Sequence, residues 1–134
     1  MATICTIGYS HSAFPDTRVL LGKYGIERLV DVRSNPKFRV KKGYSAKELE
    51  AALGDGYRWE PRLGGKYGKP DAFQGSTGPR HPEWWEALDE LIGEAAAKRV
   101  CIMCMEEDPS ECHRGQWIQL ELEARGVRVL HIRL

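Results

Sequence analysis

No run in this sequence approaches the roughly 18 apolar residues of a membrane span, so no transmembrane segment is expected. The amino-terminal Met1-Ala2-Thr3-Ile4-Cys5-Thr6-Ile7-Gly8 has no basic region followed by a long apolar stretch. No secretory signal is read there, and the cytoplasm is the expected compartment. Internal repeats and low-complexity tracts are lacking, and neither sign of charge dominates, the formal net charge being +1. Cysteine is sparse: Cys5, Cys101, Cys104 and Cys112 are the four present, too few to demand a disulfide framework. Cys5 and Cys101 lie inside apolar runs and are expected as buried free thiols. Cys101 and Cys104 form a C-x-x-C, but within a strand, side chains three apart face opposite ways, so a redox pair is not expected. No glycine fingerprint of a P-loop or a dinucleotide-binding fold occurs.

What remains is ordinary globular composition. The 134 residues are 42% apolar and 29% charged, which suits one domain over residues 1–134 with a real core. The charge is unevenly placed. Residues 33–80 hold eleven basic side chains against five acidic ones, and the segment from His81 to Arg125 is acidic in compensation. A basic segment of this kind attracts phosphate or nucleic acid, forms a solvated face, or pairs with the acidic half.

The hydrophobic pattern predicts five strands alternating with helices. Thr3–Ile7, Arg28–Arg33, Tyr57–Glu60, Val100–Met105 and Val127–Ile132 read as strands. Asp16 is positioned to cap a helix reaching Tyr24, with Gly25 as its stop. Ser45 and Glu48 form a capping box for a helix ending at Gly54–Gly56. Residues 61–81 make a long Gly- and Pro-rich connection, and Pro82 suits the first turn of the following helix. In that helix Trp84, Leu88, Leu91, Ile92 and Ala95 make a buried stripe. Asp108-Pro109-Ser110-Glu111 is a second capping signature, opening a helix that runs to Arg125 and stops at Gly126. The expected fold class is therefore α/β: a mostly parallel five-stranded sheet with helices on both faces, a Rossmann-like three-layer arrangement.

Chemistry-bearing residues collect where strands give way to loops. Cys104, Glu106, Cys112, His113 and Arg114 lie within eleven residues, at a strand end and the helix start that follows. A helix amino terminus favours anions and thiolates. Cys112 or Cys104 is thus a candidate nucleophile, Glu106 a candidate base, His113 an acid or base, and Arg114 an anion clamp. Asp31 and Arg33 alternate along the second strand and end on one face, as an orienting ion pair or a base beside an anion clamp. Gly8, Tyr9 and Ser10 follow the first strand, and Gly64 and Gly65 offer a second backbone cradle. A zinc site built from Cys104, Cys112 and His113 with Glu106, His11 or His131 is the competing use. Its C-x7-C-H spacing matches no recurring finger pattern, so no metal is assigned, and no cofactor is indicated.

Taken in order, Thr6-Ile7-Gly8-Tyr9-Ser10, Leu29-Val30-Asp31-Val32-Arg33-Ser34 with Pro36, Leu63-Gly64-Gly65, Cys104-Met105-Glu106, Cys112-His113-Arg114 and Val129-Leu130-His131-Ile132 resemble domain-of-unknown-function family 488. Residues 66–79 follow no pattern of that family. The resemblance implies a single α/β domain whose motif positions form one site, and it implies no reaction. The leading expectation is an enzyme with an anion-binding cleft that acts on a phosphate-bearing small molecule, such as a nucleotide, or on nucleic acid. The alternatives are a non-catalytic nucleic-acid-binding module, with Tyr44, Tyr57, Trp59 and Tyr67 as stacking surfaces, and thiol redox or sulfur transfer through Cys104 and Cys112. No membrane partner is expected, and the sequence sets no oligomeric state.

Overall fold

The structure, a computed structural model, describes residues 2–33, 36, 41–64, 82–104 and 118–133. Five strands form one sheet: β1 (Thr3–Gly8), β2 (Arg28–Asp31), β3 (Tyr57–Trp59), β4 (Val100–Cys104) and β5 (Arg128–His131). Their order is β3-β2-β4-β1-β5, and every pairing is parallel. The expected α/β class holds. The described helices are α1 (Phe14–Lys23), α2 (Ala46–Leu53), α3 (Trp84–Ala97) and α4 (Gln119–Ala124).

Strand alternation divides the core in two. Ile4, Val30, Ile102 and Cys104 pack with Trp84, Leu88 and Leu91 of α3 and Leu122 of α4. Cys5, Ile7, Leu29, Cys101 and Met103 pack with Leu20 and Leu21 of α1 and Leu49 of α2. Among the described residues, two helices therefore cover each face. The cause is crossover handedness: β1 to β2 to β3 runs toward one side of the sheet and β3 to β4 to β5 toward the other, so right-handed connections put α1 and α2 opposite α3 and α4. Each fully buried Leu or Ile contributes about 1.5–3 kcal/mol of transfer free energy. On α3, Trp84, Leu88 and Leu91 are buried as expected and Ala87 joins them, while Ile92 and Ala95 are only partly buried against the same core.

Local signals set most boundaries. Ser45 accepts from the Glu48 backbone and Glu48 answers to the Ser45 N–H, so the capping box forms as expected. Gly54, which ends α2, has φ +54°, and Gly126, after α4, has φ +77°; both stops need the left-handed region. The reading of Asp16 as a cap is corrected. Helix α1 begins three residues earlier, with Ala13 at the cap position, Pro15 in the first turn and no side-chain cap bond. Proline presets φ for a first helical turn, and Asp16 then sits inside it, where a negative charge still meets the amino-terminal dipole. Pro82 precedes α3 rather than entering it, since Glu83 is the cap residue. The expected capping signature at Asp108–Glu111 lies outside the described residues.

Cys5, Cys101 and Cys104 are buried thiols. Cys101 and Cys104 belong to different core clusters, on opposite faces. Burial also pushes the Cys5 thiol above its ordinary pKa, although Arg99 acts against the shift. Alkylation of the native protein with iodoacetamide at pH 8 is expected to spare Cys5 and Cys101, and unfolding in urea to expose both. Native labelling of either, located by mass spectrometry, would mean that these thiols are not the sealed core groups described here.

Candidate functional site

The carboxyl ends of β1 and β4 are neighbours whose connections leave for opposite faces. Gly8 is in register with Cys104, and the Tyr9 N–H donates to the Cys104 carbonyl at 3.3 Å. In open α/β sheets, ligands settle in the crevice at such a reversal. Of the expected site residues, Gly8, Tyr9, Ser10, Asp31, Arg33 and Cys104 lie at or just beyond the carboxyl ends of β1, β2 and β4.

Asp31 is the centre of the described cluster. It closes β2, is 0% exposed, and its carboxylate takes four hydrogen bonds. Arg33 supplies three of them: Nε to Oδ1 at 2.8 Å, Nη2 to Oδ2 at 2.6 Å and its backbone N–H to Oδ1 at 3.1 Å. The Tyr57 hydroxyl donates the fourth, to Oδ2 at 2.6 Å. A fork-to-fork arginine–carboxylate pair is both strong and geometrically exacting. The backbone around it is tied as well, because Trp59 Nε1 donates to the Arg33 carbonyl at 2.8 Å and the Glu60 N–H to the Asp31 carbonyl at 2.8 Å.

Arg33 carries the cluster across to β1. Its Nη1 donates to the Tyr9 hydroxyl at 3.2 Å, and its guanidinium lies 5.2 Å from the centre of the Tyr9 ring. Tyr9 stacks on Tyr44 with centroids 4.3 Å apart, and Phe14 meets Tyr44 edge-on. The Tyr44 hydroxyl donates to the Ser12 carbonyl at 2.9 Å and lies 2.6 Å from Thr17 Oγ1. Ser10 is half-buried in the same turn, where its carbonyl accepts from Lys41 Nζ at 3.3 Å.

The ionisation states follow from this packing. Burial works against the charge on Arg33, but hydrogen bonding and attraction to Asp31 outweigh it, so the guanidinium is held more firmly charged than in water. Burial, then the bond to Asp31, pushes the Tyr57 phenol well above its ordinary range, so Tyr57 is a neutral donor. With its acceptor positions filled by donors, Asp31 is arranged to orient Arg33 rather than to collect a proton.

The other expected residues divide. Cys104 reaches the same edge, but its thiol packs in the α3–α4 core, on the face opposite Asp31. Gly64 is buried and ends the short turn Pro61–Leu63. Gly65, Glu106, Cys112, His113 and Arg114 lie outside the described residues. Half of the candidate zinc ligands, Glu106, Cys112 and His113, are among these. His131 has both ring nitrogens engaged, one with the Thr6 hydroxyl and the other with Gln119 Oε1 at 2.9 Å. Among the described residues, no three His, Cys, Asp or Glu side chains are grouped to hold a metal, and no helix is long and apolar enough to cross a membrane.

A second buried acid stands beside the cluster and was not read from the sequence. Glu60 is 3% exposed and accepts from Arg58 Nη1 at 2.9 Å and from Arg62 Nε and Nη2 at 2.9 and 2.7 Å. Arg58 also reaches Glu94 on α3 at 2.9 Å, and Arg62 reaches Glu90. Part of the basic middle segment is thus paired with the acidic half. Tyr44, one of the expected stacking surfaces, is 0% exposed. A cavity of about 600 Å³ opens at the opposite, amino-terminal edge of the sheet, between Ala2, Cys5, Glu27, Ala96 and Arg99. Arg99 is already engaged there by Glu27 and the Tyr24 carbonyl, and Thr3 and Lys98 also line the space.

A family model described as "Domain of unknown function DUF488" matches residues 16–119. No curated protein and no solved structure matches the chain.

Proposed function

Since the chain belongs to the DUF488 family, whose description carries no reaction, we propose from the site's chemistry that the carboxyl edge binds an oxyanion and that the protein is an enzyme acting on the phosphate-bearing ligand that supplies it. Nucleotides and nucleic acid are the ligand classes with that group. One observation carries the reading: the Asp31 carboxylate is filled, while its partners keep donors to spare. Three of the five guanidinium N–H groups of Arg33 are used, two on Asp31 and one on Tyr9. The Tyr9 oxygen accepts from Arg33, which leaves its own proton to give. A group that satisfies such donors must be an acceptor, and a charged one is preferred beside Arg33.

In this reading Arg33 and Tyr9 touch the ligand, and Asp31 and Tyr57 position Arg33. Gly8, Ser10 and Gly64 line the crevice with backbone close enough for a ligand to approach. Glu106, Cys112, His113 and Arg114 supply the reactive groups, with Glu106 as base, Cys112 as nucleophile if a covalent step occurs, and Arg114 as a second clamp. Cys104, at the carboxyl end of β4, forms a wall of the crevice.

Titration calorimetry with inorganic phosphate and a nucleoside 5′-monophosphate at low ionic strength tests the proposal. The wild type is expected to bind both. Tyr9→Phe removes one donor and no charge, and is expected to weaken binding about tenfold, the scale of a hydrogen bond to a charged group. Unchanged affinity in folded Tyr9→Phe, or no binding by the wild type, overturns it.

A further inference from the structure

Building on that reading of the carboxyl edge, we infer that the site selects a terminal phosphate in its fully deprotonated, dianionic form over a phosphodiester. The ground is a count of donors against acceptors. Arg33 has two unspent N–H groups, of which the Tyr57 oxygen can take at most one. Tyr9 has its phenolic proton. At least two donors therefore await a ligand.

Acceptors, by contrast, are largely engaged among the described residues. Asp31 takes its four bonds from Arg33 and Tyr57. The neighbouring carbonyls are engaged too: Asp31 O by Glu60 N, Met103 O by Val32 N, Cys104 O by Tyr9 N and Arg33 O by Trp59 Nε1. Among the described residues, then, the cluster offers a ligand protons and has no free carboxylate to receive one. A P–OH or an alcohol pressed against it would have to compete for carbonyls that already hold one bond each. A dianionic terminal phosphate carries no such hydrogen and presents three charged oxygens. A diester has lost one of these oxygens and one unit of charge.

The ligand's own ionisation then sets the pH response. The second ionisation of a phosphate monoester falls near pH 6, so binding strengthens as pH rises through that value and levels off above it. Among the described residues, the groups facing Arg33 from the packed elements are Asp31 on β2, Tyr57 on β3, Tyr9 after β1 and, behind Tyr9, Tyr44 ahead of α2. Sulfate separates ligand from protein titration, because it is a dianion throughout this range.

The full chain is titrated by calorimetry from pH 5 to 8 with a nucleoside 5′-monophosphate, a dinucleoside phosphodiester and inorganic sulfate. The monophosphate is expected to bind about tenfold more tightly at pH 7.5 than at pH 5, following its dianion fraction. Sulfate is expected to bind with no pH dependence, and the diester at least about tenfold more weakly than the monophosphate at pH 7.5. A diester within threefold of the monophosphate, a flat monophosphate profile, or a sulfate profile that rises in parallel overturns the inference while leaving the oxyanion site standing. Failure of all three probes to bind at any pH removes the site itself, and the inference with it.

Discussion

Asp31→Asn is expected to destabilise the fold by about 3–5 kcal/mol, the usual cost of leaving one member of a buried ion pair without the other. The amide keeps the shape of the carboxylate, so the loss is one of charge and acceptor capacity. Arg33, at 7% exposure, has little water to turn to. Its Nε and Nη2 both bond to Asp31, and an amide offers a single oxygen where the carboxylate offered two. Tyr57 loses a charged acceptor in the same step. Urea unfolding followed by tryptophan fluorescence measures the loss. Asp31→Leu combined with Arg33→Met is expected to recover most of it, because a buried pair replaced as a unit by apolar side chains is often neutral. A cost below about 1 kcal/mol for Asp31→Asn would mean that Arg33 finds water or another partner, and the pair would not be the fixed element described.

The second large effect concerns Glu60 and carries a pH signature. Glu60→Gln is expected to cost about 2–3 kcal/mol at pH 7, within the range for hydrogen bonds to charged groups. The figure is kept below that for Asp31 because Arg58 and Arg62 are partly exposed, at 26% and 23%, and can rehydrate. Burial opposes the charge on Glu60, but the bonds from Arg62 and Arg58 prevail and hold its pKa below the ordinary value. A carboxylate with a depressed folded-state pKa stabilises the fold above its unfolded pKa, near 4.3. That contribution disappears as pH falls through the lower folded-state value. The wild type should therefore lose its advantage over Glu60→Gln on acidification, the two stability curves converging at and below about pH 4. Curves that stay parallel from pH 7 to pH 3 would show that Glu60 stabilises by shape alone.

Features encoded within a few residues were legible beforehand. The capping box at Ser45 and Glu48 and the glycine stops at Gly54 and Gly126 depend only on their own neighbourhood. So does the opposite facing of Cys101 and Cys104, which follows from strand parity. Asp31 and Arg33 could be paired because two residues of one extended segment share a face. Tyr57 could not be joined to them in advance. Its reach to Asp31 depends on the register of β3 against β2, with Leu29 opposite Tyr57 and Asp31 opposite Trp59, and that register is settled between segments. Glu60 was missed for a related reason: its flanking arginines read as surface charge until β3 set them against α3. Asp16 was misread because a cap signature competed with a proline one residue before it, and the proline set the start of the helix. Glu106, Cys112, His113 and Arg114 keep the standing that their motif alone confers.

The position of β4 bears on how the chain is made. It lies between β1 and β2, paired to both. While the polypeptide is emerging from a ribosome, its first 99 residues contain β1, β2 and β3 but not the strand that joins the first to the second. Only the β2–β3 pair can form early, and β1 has no neighbour until residues 100–104 appear. Tyr9 and Arg33, which belong to different halves of the sheet, meet only after that insertion. Vectorial synthesis therefore assembles the Asp31, Arg33 and Tyr9 cluster late, and a truncated chain ending before Val100 would carry these residues unassembled.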